Sequence, residues 1–331
     1  MTRMIDRMLS QGVRLPAWRE TNEEAVRRIL SQCLPVATVI AIDNVARYYF
    51  DDLQGRHQHG WYISDFPNLA PPFRVYFMEF RFPEQLAFPN LTAYGAGVLF
   101  VAHEIEPGAR LEIPRGIVES QVSKLPRLRE ESWEDSIRVG RDEGLRWEVE
   151  AFLFTEPTKG EVIGPCLGQA WLIDETGRNF LPGNRSVGCL FAKAILEAGP
   201  DEWYFLQTIA LYPCLLATSL LHCKNVVIRD EKAPRSERRR AEREGGSAPV
   251  RFKTLNIRPM QEILRREGKS ETAGLKQALH ICRGHFKDYR EHGLFGKESH
   301  KAIYWWDQQV RGSAAEGVIA KDYNVKKPVG A

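Results

Sequence analysis

The stretch EWYFLQTIALYPCLLATSLLHC, residues 202–223, is apolar on nearly every side of the helix that its length and composition predict. Such a helix has no face to give to water, so other parts of the fold must surround it. Pro213 lies inside it and either kinks it or begins its second half. A chain carrying this segment needs a core large enough to enclose it. With 331 residues and 43% hydrophobic content, the chain has the material for one. The longest apolar runs, 35–42 and 209–221, are too short to span a bilayer. The first twenty residues hold no apolar run of signal-peptide length, so the expected compartment is the cytoplasm.

What surrounds the helix is read from periodicity. Segments 73–82 (FRVYFMEFRF), 96–105 (AGVLFVAHEI), 147–155 (WEVEAFLFT) and 167–174 (LGQAWLID) have the alternation and bulky composition of strands. The turn signal ETGRN at 175–179 implies antiparallel pairing. Upstream, Thr21 and Glu24 form a capping box for a helix with Ala25, Ile29, Leu30 and Cys33 on one stripe, ended by Pro35. VIAIDNVARYYFDD, 39–52, reads as a second helix, and 54–72 as a Gly/His/Pro-rich loop. Residues 125–144 are charged and read as surface helix or loop. FKTLNIRPM (252–260) reads as a strand, QEILRRE as a short helix, and the tail AIYWWDQQVRG and GVIAKDYNVKK as two more strands. The expected fold is therefore α+β, a largely antiparallel sheet packed around a buried helix, with N-terminal helices. Residues 1–230 form one region, 231–250 a charged linker or insertion, and 251–331 a C-terminal α+β region that stands apart or completes the same sheet.

Charge separates these regions. The net charge is only +3, but residues 250–331 hold 16 Lys and Arg against 9 Asp and Glu, so the basic excess lies at the C-terminal end. That asymmetry points to a polyanionic partner, RNA or DNA, or to an acidic protein. Cys33, Cys166, Cys189, Cys214, Cys223 and Cys282 are scattered with no CxxC, as reduced structural thiols are.

The densest chemistry is HICRGHFKDYREHGLFGK, 280–297. On a helix His280 and His285 would stand about 140° apart, and on a strand they would face opposite ways, so neither arrangement builds a histidine-pair metal site. No metal or cofactor is expected. Glu291 occupies the position where a phosphate loop needs its first glycine before Gly296–Lys297. Gly293 and Gly296 read as turn residues flanking a buried Leu-Phe hook. Cys282 beside His280 is a weaker nucleophile candidate. On one continuous strand, Arg283 and His285 would share a face. With Lys287, Tyr289 and His300 they supply the base, acid and cations for metal-independent RNA cleavage. Trp305, Arg311, Lys297 and Lys321 add aromatic and basic groups suited to stacking bases and pairing phosphates. Taken singly, each histidine reads more simply as a satisfied core residue.

The same block, with YWWDQQVRG, GVIAKDYNV and LLHCKNV (220–226), resembles a C-terminal segment of uncharacterised bacterial proteins associated with phages and prophages. The resemblance covers about the last third of the chain. It implies a mobile-element setting and carries no activity, cofactor or site residue. Three functional expectations follow: a nucleic-acid-interacting protein that includes a metal-independent endoribonuclease as its sharpest form, a non-catalytic binder of nucleic acid or an acidic protein, and a phage structural or assembly component.

Overall fold

A computed structural model describes residues 3–14, 29–55, 65–83, 94–114, 136–141, 144–158, 160–183, 207–231, 239, 243, 252–258, 260–266, 278–282, 284–306, 309–311, 313–319 and 325–326. The chain divides into two units. One comprises Met1–Ser219 with Ile228–Leu255, the other Leu220–Val227 with Asn256–Ala331.

The larger unit is built on a mixed, mostly antiparallel sheet, whose last two strands begin or end with residues of the smaller unit, Val226–Val227 and Asn256–Ile257. Its strands are β1 (Thr38–Ala41), β2 (Val75–Arg81), β3 (Gly95–Glu104), β6 (Leu145–Thr158), β7 (Glu161–Asp174), β8 (Asn179–Gly183), β9 (Val226–Glu231) and β10 (Phe252–Ile257), in the order β8-β7-β6-β3-β2-β1-β10-β9. A separate pair, β4 (Arg110–Pro114) and β5 (Ser136–Gly140), is antiparallel. Strand β1 runs parallel to both β2 and β10, whereas β2, β3, β6, β7 and β8 pair antiparallel in succession.

Both faces of the central strands are buried, which is why β2 and β3 read as bulky and apolar on both sides. On one face helix α1 (Met4–Gln11) lays Met4, Ile5 and Met8 on Phe77, Leu99, Phe152 and Phe154. A Cβ at Gly97 would meet the Phe77 ring at 2.3 Å and the Met4 sulfur at 3.0 Å, so glycine there makes room for the Phe77 ring. The other face carries helices α2 (Asp43–Gly55) and α3 (Tyr212–Leu221). Phe50 of α2 lies 6.0 Å from Phe80, and Thr218 of α3 reaches Met78 and Tyr76. Helix α3 is the apolar segment of the sequence reading, preceded by one irregular turn at Gln207–Leu211, with Pro213 in its first turn. Its hydroxyls are satisfied inside the core. Thr218 donates to the Cys214 carbonyl at 2.9 Å and Ser219 to the Asn68 carbonyl at 2.8 Å. The expected sheet around a buried helix is therefore present. Among the described residues no helix is long and apolar enough to cross a membrane.

Two segments depart from expectation. VIAIDNVARYYFDD is not one helix: Thr38–Ala41 form β1, and α2 starts at Asp43. A short apolar run buried between parallel neighbours lacks the alternation that would mark it as a strand. The charged 125–144 segment supplies strand β5, and its residues before 136 lie outside the described set. Residues 21–28, including the capping box, lie outside it as well, and helical turns at Ile29–Cys33 and Leu34–Val36 follow. Of the 231–250 linker, the described residues beyond Glu231 are Arg239 and Arg243, both helical and exposed.

The smaller unit contains helix α4 (Met260–Arg266) and strands β11 (Ala278–Cys282), β12 (His285–Asp288), β13 (Ile303–Trp306), β14 (Gln309–Arg311), β15 (Ser313–Ile319) and β16 (Val325–Lys326). Strands β14-β11-β15-β16 make one sheet, and β12 with β13 a two-stranded ribbon. The core joins Met260 and Leu264 of α4 to Leu294, Tyr304 and Trp306. The division of the chain thus differs from the expected boundary at 251. Residues up to Leu255 belong with the large sheet, and Leu220–Val227 belong with the C-terminal unit. LLHCKNV therefore falls in the same unit as the C-terminal block it was grouped with by resemblance.

Candidate functional site

The ribbon is fixed before it is functional. Asn225, 1% exposed, donates through Nδ2 to the carbonyls of Trp305 (2.8 Å) and Arg258 (3.0 Å), and its Oδ1 accepts from the Trp305 N–H at 2.9 Å. The Lys224 N–H donates to the Ile303 carbonyl at 2.9 Å. One short segment, 223–225, thereby sets the position of β13.

Antiparallel register then decides which side chains meet. His285 lies opposite Trp306 and Lys287 opposite Tyr304, so these four share one ribbon face. The Lys287 Nζ sits 4.3 Å from the Trp306 ring centroid, a cation–π contact. His285 is exposed and lies nearly parallel to the Trp306 ring, with centroids 6.5 Å apart. Farther along, Tyr289 meets Tyr304 edge-on at 5.9 Å, and His300 Nδ1 lies 2.8 Å from the Tyr304 hydroxyl. Burial raises the Tyr289 phenol above its ordinary value, moderated by hydrogen bonding with Trp306. At neutral pH this phenol keeps its proton.

Four of the five expected catalytic residues, His285, Lys287, Tyr289 and His300, therefore flank the same two rings, Trp306 and Tyr304. Arg283 lies outside the described residues. The continuous strand that would have placed it beside His285 does not exist, because β11 ends at Cys282 and β12 begins at His285 in a different sheet, with buried Gly284 between. Alternation cannot be carried across that break. The nucleic-acid-binding expectations need larger corrections. Trp305 is 1% exposed and packs against Phe286 at 4.7 Å on the opposite ribbon face, so its ring is core and has no surface for a base. Lys297 is exposed on the turn that follows Leu294–Gly296. Arg311 ends β14, its backbone opposite His280, and its side chain is outside the described set, as is all of Lys321. Of the expected Leu-Phe hook, Leu294 is buried but Phe295 is 38% exposed.

Local ion pairs temper the basic character of this stretch. Arg290 binds Asp288 at 2.7 Å, and Lys301 binds Glu298 at 2.7 Å. Among the described residues no cluster of His, Cys, Asp and Glu could hold a metal ion. The buried thiols are inert: desolvation pushes Cys223 up to about 12 and Cys214 higher than its ordinary value. The side chains of His280 and Cys282 lie outside the described set.

A second polar cluster, in the larger unit, was missed. Glu79 of β2 is 3% exposed and accepts the Ile5 N–H at 3.1 Å, with Arg3 Nε at 3.4 Å from its other oxygen. Arg3 also binds Asp43 at 3.0 Å, and Arg7 binds Glu156 at 2.5 Å. Burial pushes the Glu79 carboxyl up to about 7, against the opposing pull of Arg3 and the Ile5 N–H. The cavity these side chains line is about 20 Å3, room for a single water and too small for a substrate. Its signal was present in the sequence as one carboxylate amid the apolar FRVYFMEFRF.

No family model matches the chain, and no curated protein and no solved structure does.

Proposed function

We propose that the C-terminal unit binds single-stranded nucleic acid along the His285–Lys287 face of the β12–β13 ribbon. One observation carries this: His285 is exposed and Lys287 lies over Trp306 on the same strand face, and the loop that follows the strand exposes Lys297. An imidazole and two ammonium groups suit a phosphate backbone, while Tyr304 and Trp306, buried in the core of the unit, form the packed floor beneath Lys287 and offer no open ring to a base. The basic excess of residues 250–331 favours the same class of partner. The likeness to phage-associated proteins suggests a mobile-element setting.

A catalytic form of this reading would use Tyr289, whose ring meets Tyr304 edge-on at 5.9 Å beside the same strand face. His285 would take the proton of an RNA 2′-hydroxyl as its oxygen attacks the adjacent phosphorus. Tyr289 would protonate the departing 5′-oxygen, leaving a 2′,3′-cyclic phosphate, with Lys287 offsetting the developing charge. Purified protein incubated with single-stranded RNA in EDTA separates the forms. Cutting lost in His285→Ala supports the enzyme. Salt-sensitive binding without cutting leaves the binder, and neither activity rejects both.

A further inference from the structure

Helix α1 is closed at its start by a residue from another element. Its N-cap is Arg3, which has no side-chain oxygen to give and brings a cation to the positive end of the helix. The second helical amide, the Ile5 N–H, donates instead to Glu79 of β2 at 3.1 Å. Asp6 accepts the Arg3 N–H at 3.2 Å, while the Arg3 side chain reaches away to Asp43 and lies 4.2 Å from the Phe252 ring centroid. Beneath this end of the helix, the buried Glu79 carboxyl lines the cavity that has room for one water.

The other end is anchored without Glu79. Gly12 ends the helix at φ 82°, a backbone that suits glycine. Two residues on, Arg14 is tied to β7 through its backbone: its N–H donates to the Val162 carbonyl and its carbonyl accepts from Gly164, both at 3.0 Å. Between these anchors α1 spans eight residues and rests Met4, Ile5 and Met8 on Phe77, Leu99, Phe152 and Phe154. A helix of about two turns can open by itself while the sheet below stays paired.

Charge decides when it opens. From α1, Arg3 and Arg7 face the cavity as cations and Asp6 acts on Glu79 as an anion, and Asp43 at the start of α2 adds a second negative charge. Glu156 of β6 pairs with Arg7, and Arg81 of β2 completes the lining. The sheet neighbours of Glu79, Ala41 of β1 and Gly97 of β3, carry no charge. Burial outweighs the pull of Arg3, so under a closed α1 the carboxyl holds its proton up to about 7, against 4.5 once water reaches it. Closing therefore takes up a proton within that interval, and closure weakens as pH rises through it.

We propose that α1 is a pH-sensitive strap, closed on the sheet while Glu79 is protonated and swinging out about Gly12 as Glu79 ionises. Opening bares the face of Phe77, Leu99, Phe152 and Phe154. The device lies wholly in the larger unit and does not depend on the nucleic-acid reading of the ribbon.

Hydrogen exchange of the full chain at pH 5 and pH 8, corrected for the intrinsic pH dependence of amide exchange, tests it. Wild-type amides of Met4–Gln11 are expected to open about fiftyfold more at pH 8, while those of β3 stay protected. Glu79→Gln is expected to open equally at both pH values. Arg3→Met, which removes the cation paired with Glu79, is expected to steepen the rise, and a shallower rise contradicts the proposal. An unchanged corrected rate in wild type overturns it, as does a rise in Glu79→Gln equal to that of wild type. If β3 exchanges in step with α1, the unit opens as a whole and the strap is rejected.

Discussion

Glu79 shows how one side chain can make stability depend on pH. Its carboxyl is buried beneath α1 and holds its proton up to about 7, against an ordinary value of 4.5. A carboxyl that binds its proton more tightly when folded stabilises the protein fully below the unfolded value. That contribution is lost as pH rises through the folded value. The wild type is therefore expected to lose about 3 kcal/mol of stability between pH 4.5 and 8 from this group. Glu79→Gln should flatten that decline and be the more stable protein at pH 8, as read by urea unfolding across pH. Parallel profiles for the two proteins would contradict the assignment. Gly97 makes a packing prediction. Gly97→Ala would drive a methyl into the Phe77 ring and Met4, and is expected to cost about 1–3 kcal/mol of overpacking, measurable as a lowered denaturation midpoint.

At the level of elements, the ribbon β12–β13 depends on a residue that is not in it. Asn225→Ala removes three hydrogen bonds and leaves the buried Trp305 N–H and carbonyl without partners. The expected loss is about 3 kcal/mol in the C-terminal unit, seen as earlier proteolysis there. A change under about 0.5 kcal/mol would show that the ribbon is held by its core alone. The elements that were legible in the sequence are those with a long, unambiguous period: β2, β3, β6, β7 and the apolar α3. Strand β1 was hidden because three buried apolar residues, Val39, Ile40 and Ala41, look the same in a strand or a helix. The break at Gly284 was hidden because ALHICRGHF has strand composition throughout, and composition does not say which sheet each half joins. That loss mattered for the site. It separated Arg283 from His285 as a common face, while the pairing of His285 and Lys287 with Trp306 and Tyr304 followed from a register no local pattern encodes. Trp305 was misjudged for a related reason. In YWW consecutive rings point to opposite faces, and tertiary packing buries all three, which no local pattern announces.

On the scale of the whole molecule, the chain pairs a large helix-covered sheet with a smaller unit assembled from two separated segments, Leu220–Val227 and Asn256–Ala331. The basic excess of the sequence lies at residues 250–331, most of which form the smaller unit, and the ribbon face provides a place where part of it meets aromatic rings. Salt dependence separates such a surface from a merely soluble one, because each phosphate neutralised by a cation releases condensed counterions. The most direct measurement is the affinity of the full chain for a short unstructured RNA, read by anisotropy at stepped salt concentrations, for wild type and for Lys287→Ala/Lys297→Ala. With about three phosphate contacts, the logarithm of affinity should fall against the logarithm of salt with a slope of about −2. The double variant should bind more weakly and with a slope shallower by about 1. Binding that is absent, indifferent to salt, or unchanged in the double variant would contradict nucleic-acid recognition by this ribbon.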